Sequence, residues 1–512
     1  MSTRIHSAQL SGLRPDIVHI EVDLSSGLHT FTIVGLPDKA VAEARDRITA
    51  AIKNSGFRSP QKGRRKVVVS LAPADLKKEG SHFDLAIALG YLHASEDLDF
   101  NPKEKLFLGE LGLDGMLRPV KGVLFLTQAA KEKGYTEIYV PSENAEEAAI
   151  IPGLAVYGMR TLEEVVNHVR SEKPKKQAPQ EQTEIVPSEP DYIIDMADVR
   201  GQETAKRGLL IAAAGRHNIA MYGPPGTGKT MLARAFTGIL PTLSFDELLE
   251  TTGIHSASGA LSGSYMTRPP LRSPHHTSSY VALVGGGANP RPGEITLAHN
   301  GVLFLDEFPE FDRRVIEALR GPLEDKTVSV SRARGTILFP ANFILIATMN
   351  PCPCGNRGSN TKECICSPGS LFRYERKLSG PIIDRIDLWT EVGAVSYEKL
   401  ASKEGSGMSS EDARAQVSKA RAMQEKRFAG VRKNLRHNSD MNTKELAKFA
   451  PLTPKESKLL NDSATRLGLS ARGYHRIIRL ARTIADLGEE ENIGERHLLE
   501  ALSYRPKKQV SG

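Results

Sequence analysis

Gly223, Pro224, Pro225, Gly226, Thr227, Gly228, Lys229 and Thr230 spell GPPGTGKT, between the apolar run NIAMY (218–222) and the helical run MLARAFTGIL (231–240). A strand, a glycine-rich loop and a helix in that order form a phosphate-binding P-loop. The glycines let backbone N–H groups approach an anion with no Cβ in the way. The helix that follows offers the anion its positive N-terminal end. Lys229 is then placed to reach β- and γ-phosphates, and Thr230 to ligate Mg2+. ATP with Mg2+ is the expected ligand pair. A glycine-rich turn with a chance lysine is the competing reading, and the full eight-residue match in its strand–loop–helix setting weighs against it.

GVLFLDE (301–307) supplies the second half of such a site, an apolar strand ending in two acids. Asp306 would hold Mg2+, directly or through water, and Glu307 would polarise the attacking water as general base. Alone, this is an ordinary strand end; paired with the P-loop it reads as catalytic. FILIATMNP (343–351) is another apolar strand and ends at Asn350. If its strand lies between those of the P-loop and the acids, Asn350 can orient the water. A turn-forming Asn-Pro is the alternative.

The chain has 512 residues, too many for one hydrophobic core, so about three domains are expected. Its 40% hydrophobic and 25% charged residues describe a globular chain, not a fibrous or disordered one. The first twenty residues lack an apolar run of signal-peptide length. No later stretch approaches the ~18 apolar residues of a membrane span, so a cytoplasmic protein without a membrane partner is expected. A net charge of +7 is compatible with a polyanion but is too thinly spread to select one.

Residues 171–191, SEKPKKQAPQEQTEIVPSEPD, carry almost no large apolar side chains and read as a linker. Before it, residues 1–170 read as an α+β domain. HIEVDLSSGLHTFTIVGL gives two strands around a Ser-Ser-Gly turn, KAVAEARDRITAAIKNSG a helix capped near Gly56, and RRKVVVSLAP a strand ended by Pro73. After it, residues 192–395 alternate strand and helix around the P-loop, which favours a parallel sheet. Residues 396–512 turn helical from Glu411 onward, and ARGYHRIIRLARTIADLG has helical apolar spacing.

All four cysteines, Cys352, Cys354, Cys364 and Cys366, fall within fifteen residues. Four thiolates suit a tetrahedral structural Zn2+ with no open catalytic position. C-x-C is less usual for zinc than C-x2-C, and free thiols or labile disulfides are the alternatives. The stretch Arg414–Arg436 carries Arg414, Lys419, Arg421, Lys426, Arg427, Arg432, Lys433 and Arg436 against the single acid Glu425. Such density can track DNA phosphates, and a solvated helix face is the commoner outcome.

GPPGTGKT, RPGEITLAHNGVLFLDEFPEF, IATMNPCPCG, LSGPIIDRIDL and LSARGYHRIIRLARTIADL together resemble the Mg-chelatase-like AAA+ ATPases of the YifB/ComM family, over nearly the whole chain. The resemblance implies a multidomain α/β protein with a central AAA+ P-loop domain and a C-terminal helical lid. It implies a homo-oligomer, a hexameric ring with ATP at each subunit boundary. Arg385 matches the arginine finger that reaches a neighbour's site, and Arg472 the sensor-2 arginine of the lid. A planar guanidinium suits both tasks, and ordinary salt bridges are the alternative for both. Gly253–Gly287 matches the clade's insert, which makes Arg268, Arg272, His275 and His276 candidate pore residues; adjacent His275 and His276 suggest a metal only weakly. DNA helicase action by branch migration in recombination and natural transformation is the implied function. A chelatase-type ATPase remodelling a protein partner is the runner-up.

The N-terminal domain resembles the Lon proteolytic domain, with a ribosomal-protein-S5-like fold. Its matching run is Lys78-Glu79-Gly80-Ser81-His82-Phe83-Asp84, which puts His82 at the serine nucleophile's place. The lysine's place falls on Leu124. Without the Ser–Lys pair an ATP-dependent protease has no nucleophile, although Ser81 and Lys121 lie close by in sequence.

Overall fold

The computed structural model describes residues 3–62, 65–172, 175–188, 194–287, 290–332, 335–358, 362–395, 407–432 and 434–506. They form two compact units, Met1–Val186 with Phe245–Thr267, and Pro187–Ser244 with Arg268–Gly512. Residues 173–174 and 189–191 of the expected linker lie outside the described residues, as do Lys433 and 396–406 at the start of the expected helical region. Residues 175–188 form neither helix nor strand.

The second unit is built on five strands: β1 (Ile219–Tyr222), β2 (Leu271–Arg272), β3 (Val302–Leu305), β4 (Ile344–Met349) and β5 (Leu388–Glu391). Their order across the sheet is β2-β3-β4-β1-β5, and every pairing is parallel. β3 and β4 are buried along their whole length. A parallel sheet covered on both faces needs such unbroken apolar runs, which is why VLFL and ILIATM read without alternation. The order sets β4 between β1 and β3, so the P-loop, Asn350 and Asp306 emerge side by side at the carboxyl ends of adjacent strands. Open α/β sheets bind their ligands at that edge.

The helices Ser410–Phe428, Thr443–Phe449, Pro454–Leu467, Ala471–Leu487 and Glu495–Ser503 follow. Ile477, Ile478, Leu480, Ala481 and Ile484 of the fourth share one core with Ile219, Val302 and Ile344 of the sheet. Ser470 caps that helix by accepting from the Gly473 N–H at 3.1 Å, a contact whose loss costs about 1 kcal/mol.

In the first unit, strands Thr3–Ser11, Arg14–Ser26, Arg65–Ala72 and Thr30–Val34 lie in that spatial order. The Ser-Ser-Gly turn separates two strands that do not pair with each other, because Arg65–Ala72 lies between them, antiparallel to one and parallel to the other. A second sheet of Lys105–Phe107, Glu137–Pro141 and Ala155–Met159 is parallel. The helix Phe245–Ser258 belongs to this unit, although sequence position puts it inside the 192–395 region. Its Ser256 hydroxyl accepts from the Gly122 N–H at 2.9 Å. Gly253 lets it close on helix Val123–Glu132, since a Cβ there would fall 2.4 Å from the Phe125 ring.

Candidate nucleotide site

The P-loop joins β1 to the helix Lys229–Ala235. Gly226 and Gly228 take φ of +77° and +91°, the left-handed region that favours glycine. Gly223 serves a different need, because a Cβ there would stand 2.1 Å from the Val392 carbonyl oxygen. Lys229 is buried, and its Nζ donates to the Gly223 and Pro224 carbonyls, each at 2.7 Å, and to Asn350 Oδ1 at 3.4 Å. Burial lowers its pKa while Asp306 and Glu307 oppose the shift. The ammonium therefore sits among the loop carbonyls, facing two carboxylates.

Thr230 Oγ1 donates to Asp306 Oδ2 at 2.9 Å. Hydroxyl and carboxylate oxygens side by side are the hard donors that Mg2+ prefers, so this pair fits the ion that accompanies ATP. Thr348, fully buried on β4, donates to the other Asp306 oxygen. It also accepts from the Glu307 N–H at 3.3 Å. The sequence reading missed Thr348, which has no motif of its own and is recognisable only from the strand order. Glu307 has φ of +52°, a strained conformation for a residue with a Cβ and one that clusters at functional sites. Its Oε2 lies 3.4 Å from His276 Nδ1. His276, expected as a pore residue, thus stands beside the candidate base.

The other insert residues are occupied differently. Arg272 holds Glu294 in a bidentate pair at 2.6 and 2.8 Å. Arg268 donates to the Ser188 carbonyl, and His275 to or from Thr277. Arg385 and Arg472 meet on one carboxylate. Arg385 pairs with Glu324 Oε2 and donates to the Pro381 carbonyl at 2.8 Å, and Arg472 donates to Glu324 Oε1 at 2.9 Å. Arg385 is 9% exposed, so in this conformation the candidate finger is tucked into its own chain.

Most arginines of the basic run are also held internally. Arg414 donates to the Gly238 carbonyl and Arg421 to the Ala213 carbonyl. Arg427 pairs with Asp486, and Arg432 with Glu445. These arginines fasten the helix Ser410–Phe428 and the turn after it to their surroundings within the second unit, while Lys419 and Lys426 stay on its exposed face.

In the first unit, His82 is half-buried, and desolvation lowers its pKa to about 4. Leu124 is fully buried. Ser81 donates to Glu110, and the Lys121 ammonium lies against Gly259.

The four cysteine sulfurs gather in the loop after Asn350, all within 4.8 Å of one another. Cys352 Sγ lies 3.4 Å from Cys354 Sγ and 3.7 Å from Cys364 Sγ. The Asn356 N–H, helped by that of Ile365, holds the Cys354 thiol down at about 6.

This fold and site define a P-loop nucleotide-binding protein of the α/β class. Families described as "Magnesium chelatase, subunit ChlI", "Subunit ChlI of Mg-chelatase" and "Magnesium chelatase, subunit ChlI C-terminal" match residues 195–400, 20–144 and 407–505. The competence protein ComM of Haemophilus influenzae is 43% identical over 98% of this chain and 97% of its own length. An uncharacterized protein of Escherichia coli K12, YifB, is 42% identical over 98% and 96%. The chain belongs to the YifB/ComM family of Mg-chelatase-like AAA+ proteins. That family implies ATP with Mg2+ as ligands and oligomeric assembly. Among the described residues no helix is long and apolar enough to cross a membrane.

Proposed function

We propose that this protein is an ATP-hydrolysing ring motor that acts on DNA, a branch-migration helicase serving recombination and natural transformation. The observation that carries the ATPase half is the convergence of Lys229, Thr230, Asp306 and Asn350 at the carboxyl ends of three adjacent strands. Bound Mg2+ supplies charge neutralisation at the β- and γ-phosphates. Backbone N–H groups of Gly226 to Thr230 cradle the phosphates, and Lys229 leaves its carbonyl partners for them. Thr230 and Asp306 hold the metal's oxygen shell. Glu307 takes the proton of the attacking water, which Asn350 orients. Arg385 completes a neighbour's site in a hexamer, and Arg472 closes over the nucleotide as part of a helical lid. The first unit is a Lon-type domain that works without a catalytic Ser–Lys pair.

The DNA half is supported by near full-length similarity to a competence protein. The exposed Lys419 and Lys426 of the basic run and the insert are both places to seek DNA contacts. ATP turnover by the purified chain, with and without single-stranded DNA, tests the reading. Stimulation together with salt-sensitive DNA binding is expected. A flat response with no such binding defeats the DNA half and favours the chelatase-type remodelling of a protein partner.

A further inference from the structure

We propose that Cys352, Cys354, Cys364 and Cys366 bind one Zn2+ as four thiolates, and that this metal braces the nucleotide site. A ZnS4 tetrahedron with bonds of about 2.3 Å sets its sulfurs about 3.8 Å apart. The observed separations of 3.4, 3.6 and 3.7 Å among Cys352, Cys354 and Cys364 approach that spacing, and Cys366 lies within the same 4.8 Å cluster. A disulfide needs sulfurs at about 2.05 Å, and all four cysteines are free. The Arg357 N–H points at Cys352 Sγ at 3.4 Å, the kind of backbone donation that stabilises a metal-bound thiolate. Four thiolates leave no open coordination position, so the ion is structural. Each thiol gives its proton to solvent as the metal binds.

The cluster's position gives it a second consequence. Only Pro351 separates Asn350 from the first ligand. The Asn350 carbonyl accepts from Tyr374 Oη at 3.2 Å, and Arg357, just past Cys354, pairs at 2.6 Å with Glu375, which lies with Tyr374 on the helix Pro368–Glu375. Gly355, at φ +78°, approaches the P-loop so closely that a Cβ there would fall 2.6 Å from Pro225 Cδ. Cys352 thus anchors one side of the site through Asn350, and the Gly355 turn presses on the other through Pro225. A loop of Gly, Pro, Asn and Ser has little apolar surface with which to hold that geometry, and a metal clip supplies the constraint. The bracing rests on the nucleotide-site reading above, whereas the metal site itself does not.

The full-length chain, purified under reducing conditions, is assayed for metal and then for binding of a fluorescent ATP analogue before and after chelator treatment. About one Zn2+ per chain is expected. Replacement by Co2+ should give the absorption of a tetrahedral tetrathiolate. Stripping should weaken nucleotide binding about tenfold, and Zn2+ should restore it. A metal-free chain with four titratable thiols overturns the site. Bound Zn2+ whose removal leaves nucleotide affinity unchanged overturns the brace and leaves the site standing. A zinc-loaded chain that binds no ATP analogue overturns the nucleotide reading instead. Should the stripped chain unfold, Cys366→Ser, which keeps three thiolates, replaces it. Nucleotide affinity that tracks free Zn2+ in this variant supports the brace, and affinity independent of Zn2+ refutes it.

Discussion

Arg385 and Arg472, 87 positions apart, hold the two oxygens of a single carboxylate, Glu324. The proposed finger and the proposed lid arginine are thus tied together in this conformation. Glu324 is recognisable only in three dimensions, because nothing in the sequence around it marks a partner for either arginine.

Replacing Arg385 by Ala should leave ATP affinity nearly unchanged and lower turnover by about 10³-fold, the usual scale for an arginine finger. Equilibrium binding and steady-state hydrolysis on the same preparation check both halves. Unchanged turnover refutes the assignment.

Glu324→Gln should release both arginines. If the pairing restrains them, turnover at saturating ATP should rise about fivefold, the equivalent of ~1 kcal/mol. A fall in turnover with intact ATP binding would show that Glu324 aids catalysis instead of restraining it.

His276→Ala should lower kcat about tenfold while nucleotide affinity stays within about twofold, because its contact at 3.4 Å is to Glu307 and not to the P-loop. Partial rescue by His276→Asn would mark it as a positioning residue for that carboxylate. Affinity and kcat falling together would point to a general packing defect.

Asp387 anchors the loop that carries Arg385. Burial pushes its pKa up, but Arg476 at 3.3 Å, then His217 and the Asn218 N–H, outweigh burial and hold the carboxyl well below its usual range. A depressed folded-state pKa contributes stability that is complete above the unfolded value of about 3.9 and is lost as pH falls below it. Asp387→Asn should cost about 3 kcal/mol at neutral pH, since it leaves the Arg476 charge uncompensated. Thermal melts of both proteins should differ by a constant amount from pH 7 to about pH 4 and draw together only below that, toward about pH 2. A difference that shrinks above about pH 4, or that holds unchanged down to about pH 2, would contradict the assignment.

The candidate nucleotide site was legible because its residues lie in short contiguous motifs. GPPGTGKT, the Asp306-Glu307 pair and Asn350 each end an apolar strand, and strand ends of a parallel sheet converge on one edge. The same local reading found the helix after Ser470 and the strand ended by Pro73. It could not find Thr348, whose role follows from β4 lying between β1 and β3. Nor could it foresee that helix Phe245–Ser258 joins the first unit, because that depends on a glycine facing Phe125. The arginines after Arg414 look like a phosphate track in one dimension. Three of their partners, Gly238, Ala213 and Asp486, come from segments far off in sequence, and no charge count can supply those.

The most direct test of the motor reading is branch migration of a labelled four-stranded DNA junction by the wild-type chain and by Glu307→Gln. ATP-dependent strand exchange is expected of the wild type and none of the variant, which should still bind ATP and DNA. A junction left intact by wild-type protein that hydrolyses ATP freely would contradict it.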